Sequence, residues 1–171
     1  MQTSAILSGS WRSSHHMIKE VAVKAEPADE REWVPQGDQI WFRPLLLDRT
    51  TGTVANLLRV RRGGQLGRHI HHAPVWGYVI RGSWRYLEHD WVATAGSFVF
   101  EPPGEVHTLV VDHITHDDEM VTFFVVQGGL VKVDDGGRPC GWENALTKIE
   151  LCEQWYEQCG LGREFVEQYV R

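Results

Sequence analysis

The stretch Gly63-Gly64-Gln65-Leu66-Gly67-Arg68-His69-Ile70-His71 decides how this chain is read. A second stretch answers it: Gly96-Ser97-Phe98-Val99-Phe100-Glu101-Pro102-Pro103-Gly104-Glu105-Val106-His107. His69 and His71 are separated by one residue. Side chains alternate along a strand, so the two imidazoles share a face only if the segment is extended. A third imidazole, His107, follows the Pro-Pro-Gly turn and must come from another strand. Three neutral imidazoles in one place suit Fe(II), Zn(II), Ni(II) or Cu(II) and disfavour magnesium and calcium.

The surrounding sequence is strand-like from Trp33 to Val133. Val54 to Arg62 is β-rich and half-alternating. Trp76 to Ile80 and Ser83 to Leu87 flank an Arg81-Gly82 turn signal. Phe98 to Phe100 forms another strand, closed by Glu101-Pro102-Pro103-Gly104. Val106 to Val111, Met120 to Gln127 and Leu130 to Val133 follow. Short strands with Gly/Pro turns indicate an all-β sandwich or barrel. The period then changes. Leu146, Ile149, Cys152, Tyr156 and Cys159 recur at helical steps, with Asn144 as N-cap and Gly160 as stop. Phe165, Val166 and Tyr169 suggest a second helical turn. The expected organisation is a weakly ordered segment over residues 1–30, a barrel over 31–135 and a C-terminal helical segment over 136–171.

The 171 residues suffice for one domain with a real core. A net charge of −6 gives no basic field for nucleic acid or an anionic membrane. No apolar window reaches the ~18 residues of a membrane span, and Ala5-Ile6-Leu7 is too short for a signal-peptide core. Three cysteines, an odd number, read as small apolar fillers in a reducing compartment. The default location is cytoplasmic.

The two His-bearing stretches resemble the paired motifs of the cupin superfamily. Gly63, His69, His71 and Gly82 match the first motif. Gly96, Pro102, Gly104 and His107 match the second at the same spacing. The resemblance covers roughly residues 40–133. It implies a single-domain cupin, a double-stranded β-helix or jelly-roll barrel, here with a C-terminal helix, and it makes His69, His71 and His107 the metal ligands. Two positions depart from the pattern. The Glu of the first motif falls at Val75 or Trp76, and the Asn of the second is Val111. Three neutral ligands would leave a divalent ion nearly its full charge, which favours an anionic, chelating substrate.

A narrower likeness is to the 2,4'-dihydroxyacetophenone dioxygenase family. It rests on Trp41-Phe42-Arg43-Pro44-Leu45, Asn56 to Arg61, Trp84 to Trp91, Phe100 to Leu109 and Gly160-Leu161-Gly162. It implies a non-haem Fe(II) dioxygenase that uses O2 to cleave the C–C bond beside the carbonyl of an aromatic hydroxy-ketone. The products are an aromatic acid and formate. Zinc, nickel or manganese could occupy the same ligands, and the cupin likeness implies a homodimer or homotetramer. Two other readings stay open: a β-diketone-cleaving dioxygenase, and a non-catalytic zinc-binding sensor like the cupin of anti-sigma factors.

Trp76, Tyr78 and Phe98 are expected to line the substrate cavity because they lie near the ligands in sequence, with Phe123 a weaker candidate. Glu101 either touches a ligand imidazole or a bound water, or is a solvated turn carboxylate. His72, next to the ligand pair, faces the other way. Arg59 and Arg61 form an exposed strand face unless one reaches the cavity. His15 with His16, and His113 with His116, read as solvated.

Overall fold

The computed structural model describes residues 18–112 and 119–171. His15, His16, His113 and His116 lie outside the described residues, as does the start of the 1–30 segment. Residues 18–29 carry no regular secondary structure, yet they are tied down. Arg171 donates to the carbonyls of Lys19 and Glu20, and Glu26 pairs with Arg81 at 2.8 Å. A 3-10 turn, Glu30–Glu32, follows under an Asp29 cap.

Among the described residues fourteen strands come next: β1 (Val34–Gly37), β2 (Ile40–Leu47), β3 (Val54–Arg61), β4 (Gly64–Gln65), β5 (His69–His71), β6 (Val75–Arg81), β7 (Ser83–Tyr86), β8 (Ala93–Thr94), β9 (Phe98–Glu101), β10 (Val106–His107), β11 (Leu109–Val111), β12 (Glu119–Val126), β13 (Leu130–Val133) and β14 (Pro139–Glu143). Helix α1 (Ala145–Gln158) and a 3-10 helix (Arg163–Tyr169) close the chain. The strands form three antiparallel sheets, ordered β1-β2-β3-β12-β6-β9, β10-β5-β13-β14 and β4-β11-β7-β8.

Alternation explains the core. On β3 the inward row is Val54, Asn56, Leu58 and Val60; on β6 it is Val75, Gly77 and Val79. These pack against Trp84 and Tyr86 of β7 and Leu109 and Val111 of β11, from the opposite layer. The six-stranded sheet and the β4-β11-β7-β8 sheet therefore close over one apolar interior. Gly82 carries the chain between them. Its φ is +73°, and a Cβ there would lie 2.8 Å from the Met120 Cα. β6 and β7 thus belong to different sheets; Arg81-Gly82 turns a corner and does not close a hairpin.

The barrel runs on to Glu143, beyond the expected boundary at 135. Pro139–Glu143 pairs with β13 as an outer strand. Its Pro-Cys-Gly composition has poor β propensity, so periodicity gives no sign of it. α1 begins at Ala145 under a capping box in which Asn144 Oδ1 accepts from the Leu146 and Thr147 amides. Such a cap contributes about 1 kcal/mol. The buried stripe is Ala145, Lys148, Ile149, Cys152 and Tyr156. Leu146, expected on this face, is 55% exposed, and a lysine stands inside in its place. The stripe and the terminal 3-10 helix, through Val166 and Tyr169, seal one end of the barrel against Phe42, Leu47 and Val54.

Candidate metal centre

β5 is extended, and both its histidines are buried: His69 is 6% and His71 5% exposed. β10 pairs with β5 so that His107 stands directly opposite His69. Antiparallel neighbours in such a pair bring their Cβ atoms to about 5 Å. One ligand-capable nitrogen from each of His69, His71 and His107 falls within 4.8 Å of the others. The ring centroids are 4.7–5.4 Å apart.

The backbone fixes the tautomers. His69 Nδ1 lies 2.7 Å from the Gly67 carbonyl, and His71 Nδ1 lies 3.3 Å from the Gly129 carbonyl. A carbonyl only accepts, so each Nδ1 carries the hydrogen and each Nε2 presents its lone pair inward. Gly129 can hold its carbonyl there because it is glycine: φ is +85°, and a Cβ would sit 2.2 Å from the Glu143 carbonyl oxygen. Burial, the largest cause, lowers the basicity of all three rings, and neighbouring imidazoles lower that of His71 and His107 further. His71 is pushed to about 4 and His107 to about 3. At neutral pH all three are therefore neutral donors.

Glu101, at the end of β9, completes the surroundings. It is 5% exposed, and its Oε2 lies 3.7 Å from His71 Nε2 and 3.6 Å from His107 Nε2. Among the described residues neither of its oxygens has a hydrogen-bond partner, nor has His107 Nε2. Burial raises its pKa to about 7; the Tyr86 hydroxyl acts to lower it and Glu105 to raise it. A buried carboxylate and a buried imidazole left unpaired around one point are what a cation would satisfy. The donor set, three imidazole nitrogens with a carboxylate beside them, fits a divalent first-row ion. Glu101 stands beside the three clustered nitrogens and is not one of them, so among the described residues no carboxylate takes the ligand place absent at Val75 and Trp76. Tyr86 lines the same cavity, its ring stacked on His107.

The expected pocket aromatics are elsewhere. Tyr78 is 49% and Phe98 66% exposed, and Trp76 packs on Phe100, its partner on β9. These side chains lie on the outer face of the six-stranded sheet. Alternation is the reason: Val75, Gly77, Val79 and Glu101 point inward, so Trp76, Tyr78 and Phe98 point out. Alternation within β6 and within β9 decides this, and nearness to the ligands in sequence does not. Phe123 shares that outer face, opposite Tyr78. His72 is exposed. Arg59 is buried, but outside the cavity: its guanidinium stacks 4.1 Å from the Trp33 ring and pairs with Glu30 at 3.0 Å.

His69 and His71 line a partly open cavity of about 70 Å³. Leu58, Leu66, Val75, Leu109, Phe124 and Val126 form its apolar walls. Gln36, Asn56, Glu143 and Lys148 line it as well. Lys148 is 6% exposed and bonds Glu143 Oε1 at 2.7 Å and Gln36 Oε1 at 2.8 Å. The apolar helix stripe gave no sign of this group; a lysine is tolerated there because the partly buried Glu143 neutralises it.

Residues 21–131 match the family described as the ChrR cupin-like domain. The chain belongs to this family. Among solved structures, it is similar to an RmlC-like cupin from Ralstonia eutropha JMP134, at 29% identity over 81% of this chain and 90% of that one, with a TM-score of 0.69. A second protein from that organism, with a cupin-like fold and unknown function, is 23% identical over 71% of this chain and 75% of the other, with a TM-score of 0.66. The acetylacetone dioxygenase of Acinetobacter johnsonii is 17% identical over 82% and 97%, with a TM-score of 0.66. The last two likenesses show the fold alone. No curated protein matches the chain.

Proposed function

We propose that this cupin is a metal-dependent dioxygenase that cleaves the C–C bond beside the carbonyl of a small oxygenated ketone. An aromatic hydroxy-ketone such as 2,4'-dihydroxyacetophenone is the leading substrate and Fe(II) the leading metal. The observation that carries the reading is the buried set His69, His71 and His107, of which His69 and His71 line a mainly apolar cavity together with Glu101. A bound ion would supply Lewis acidity and, as Fe(II), a route to dioxygen. The chain's own groups do the rest. The carbonyls of Gly67 and Gly129 hold two imidazoles in place. Glu101 Oε2 is positioned to accept the proton that the substrate loses on binding. The apolar walls exclude water that would compete for the reactive centre. Overall, a hydroxymethyl ketone and one O2 give an acid and formate, with one oxygen atom entering each product.

The acetylacetone dioxygenase likeness makes a β-diketone the next substrate class to try. The experiment is oxygen uptake by Fe(II)-loaded protein with 2,4'-dihydroxyacetophenone and with acetylacetone, followed by product analysis. The expected result is uptake matched mole for mole by an acid. No uptake with either substrate would overturn the reading. The ChrR cupin-like family match favours one alternative, a zinc-holding sensor. Zinc retained at full occupancy after growth in excess iron, with no oxygen chemistry, would establish it.

A further inference from the structure

The row of β3 side chains facing the interior is Val54, Asn56, Leu58 and Val60, and one of the four is polar. Asn56 is 7% exposed, lines the cavity and makes no hydrogen bond through its side chain among the described residues. Its cross-strand neighbour Phe124 is apolar and lines the same space. Its polar atoms are open to the cavity, so an apolar group that fills the space costs the amide its hydrogen bonds to water. A ligand able to bond it would recover them.

The groups nearby favour an oxygen. Lys148 and Gln36 line the cavity with Asn56, and Lys148 pairs with Glu143. Lys132 also approaches Glu143, at 3.8 Å. Lys132 is half exposed and does not line the cavity; Lys148 spends two of its three N–H donors on Glu143 and Gln36, which leaves one for an oxygen acceptor. Gln36 Oε1 is taken by Lys148, and its Nε2 is turned toward Glu143 at 3.4 Å. Asn144 also lines the cavity, but its Oδ1 caps α1; Asn56 is the lining amide with neither end bonded among the described residues. The cavity is then lined by His69, His71 and Glu101 and, besides them, by Asn56 and Lys148, among apolar walls.

We propose that Asn56 is a specificity-determining residue: its amide hydrogen-bonds an oxygen substituent, a hydroxyl or phenolate, on the part of the substrate remote from the three histidines. This rests on the dioxygenase reading for the identity of the substrate and not for the bond itself. A ketone with a second oxygen across the molecule satisfies the amide. One without it leaves the amide unpaired.

Equilibrium binding separates the two ideas. The probes are 4'-hydroxyacetophenone and acetophenone, titrated calorimetrically into Ni(II)-loaded protein, with no turnover required. Wild type is expected to bind the hydroxylated ketone roughly tenfold or more tightly, since a site built to bond a hydroxyl rejects the analogue that lacks it. Asn56→Leu is expected to erase that preference while keeping the metal content. Asn56→Ala serves the same purpose if the leucine variant fails to fold. Binding without preference in wild type, a preference that survives both substitutions, or no binding of either ketone would overturn the proposal. A preference that depends on Asn56 in a protein that consumes no oxygen would uphold it and remove the dioxygenase reading alone.

Discussion

The Tyr86 ring lies flat on the His107 imidazole, with centroids 4.0 Å apart and planes 11° from parallel. His69 and His71 are oriented by backbone carbonyls; among the described residues His107 is oriented by this stacked ring. Tyr86 is 3% exposed and is itself wedged against Trp84 and Trp91. Groups that orient ligands are commonly worth 10–100-fold in metal affinity. Tyr86→Leu should therefore weaken divalent-metal binding by about tenfold or more, whereas Tyr86→Phe, which keeps the ring, should hold it within about threefold. Competition against a chromophoric chelator measures both.

Glu101 should separate binding from turnover. In Glu101→Gln the three imidazoles remain, so one ion per chain should still bind. The amide cannot accept the substrate's proton, and general-base contributions are typically 10²–10⁴-fold. Oxygen uptake should fall by about that factor with metal content unchanged. A variant with full turnover would remove Glu101 from the chemistry.

The outer face of the six-stranded sheet should be silent in catalysis. Tyr78→Ala and Phe98→Ala remove half-exposed rings that do not line the cavity. Turnover per bound metal should stay within about twofold, because surface substitutions of this kind usually change stability by no more than ±0.5 kcal/mol. A large loss of turnover at either position would return these rings to the pocket.

Acid stability should depend on Glu119. Its carboxyl is bonded by Arg81 and Arg61, with Arg59 close by, and these partners hold its pKa below the ordinary 4.5 despite partial burial. A carboxyl whose folded pKa is depressed stabilises the fold fully above the unfolded value. That contribution is lost as pH falls below about 4.5 and through the folded value. Denaturant melts at pH 7 and pH 4 should therefore show Glu119→Gln less stable than wild type at pH 7, with the gap narrowing at pH 4.

The site was legible where a local period decides it. His69 and His71 follow from alternation alone, and the Pro102-Pro103-Gly104 turn announces a new strand before His107. That β10 lies beside β5 with His107 opposite His69 is a long-range pairing, which no local pattern encodes. The inward aim of Glu101 and outward aim of Phe98 were within reach of the same period-two count, but only once one residue of β9 was known to face in. Lys148 and Asn56 were hidden for another reason. Both are polar residues inside, Lys148 held by Glu143 and Gln36 and Asn56 facing the cavity, so a search for apolar stripes passes over them. The extra strand Pro139–Glu143 escaped because its residues are weak strand formers held by pairing to β13.

The most direct test of the account is the metal stoichiometry of anaerobically handled protein, by elemental analysis, in wild type and in His107→Ala. The expected result is one first-row divalent ion per chain in wild type and its loss in His107→Ala, with the fold retained by circular dichroism. An ion bound equally well by His107→Ala, or no stoichiometric ion in wild type after loading, would contradict the claim that His69, His71 and His107 form one metal centre.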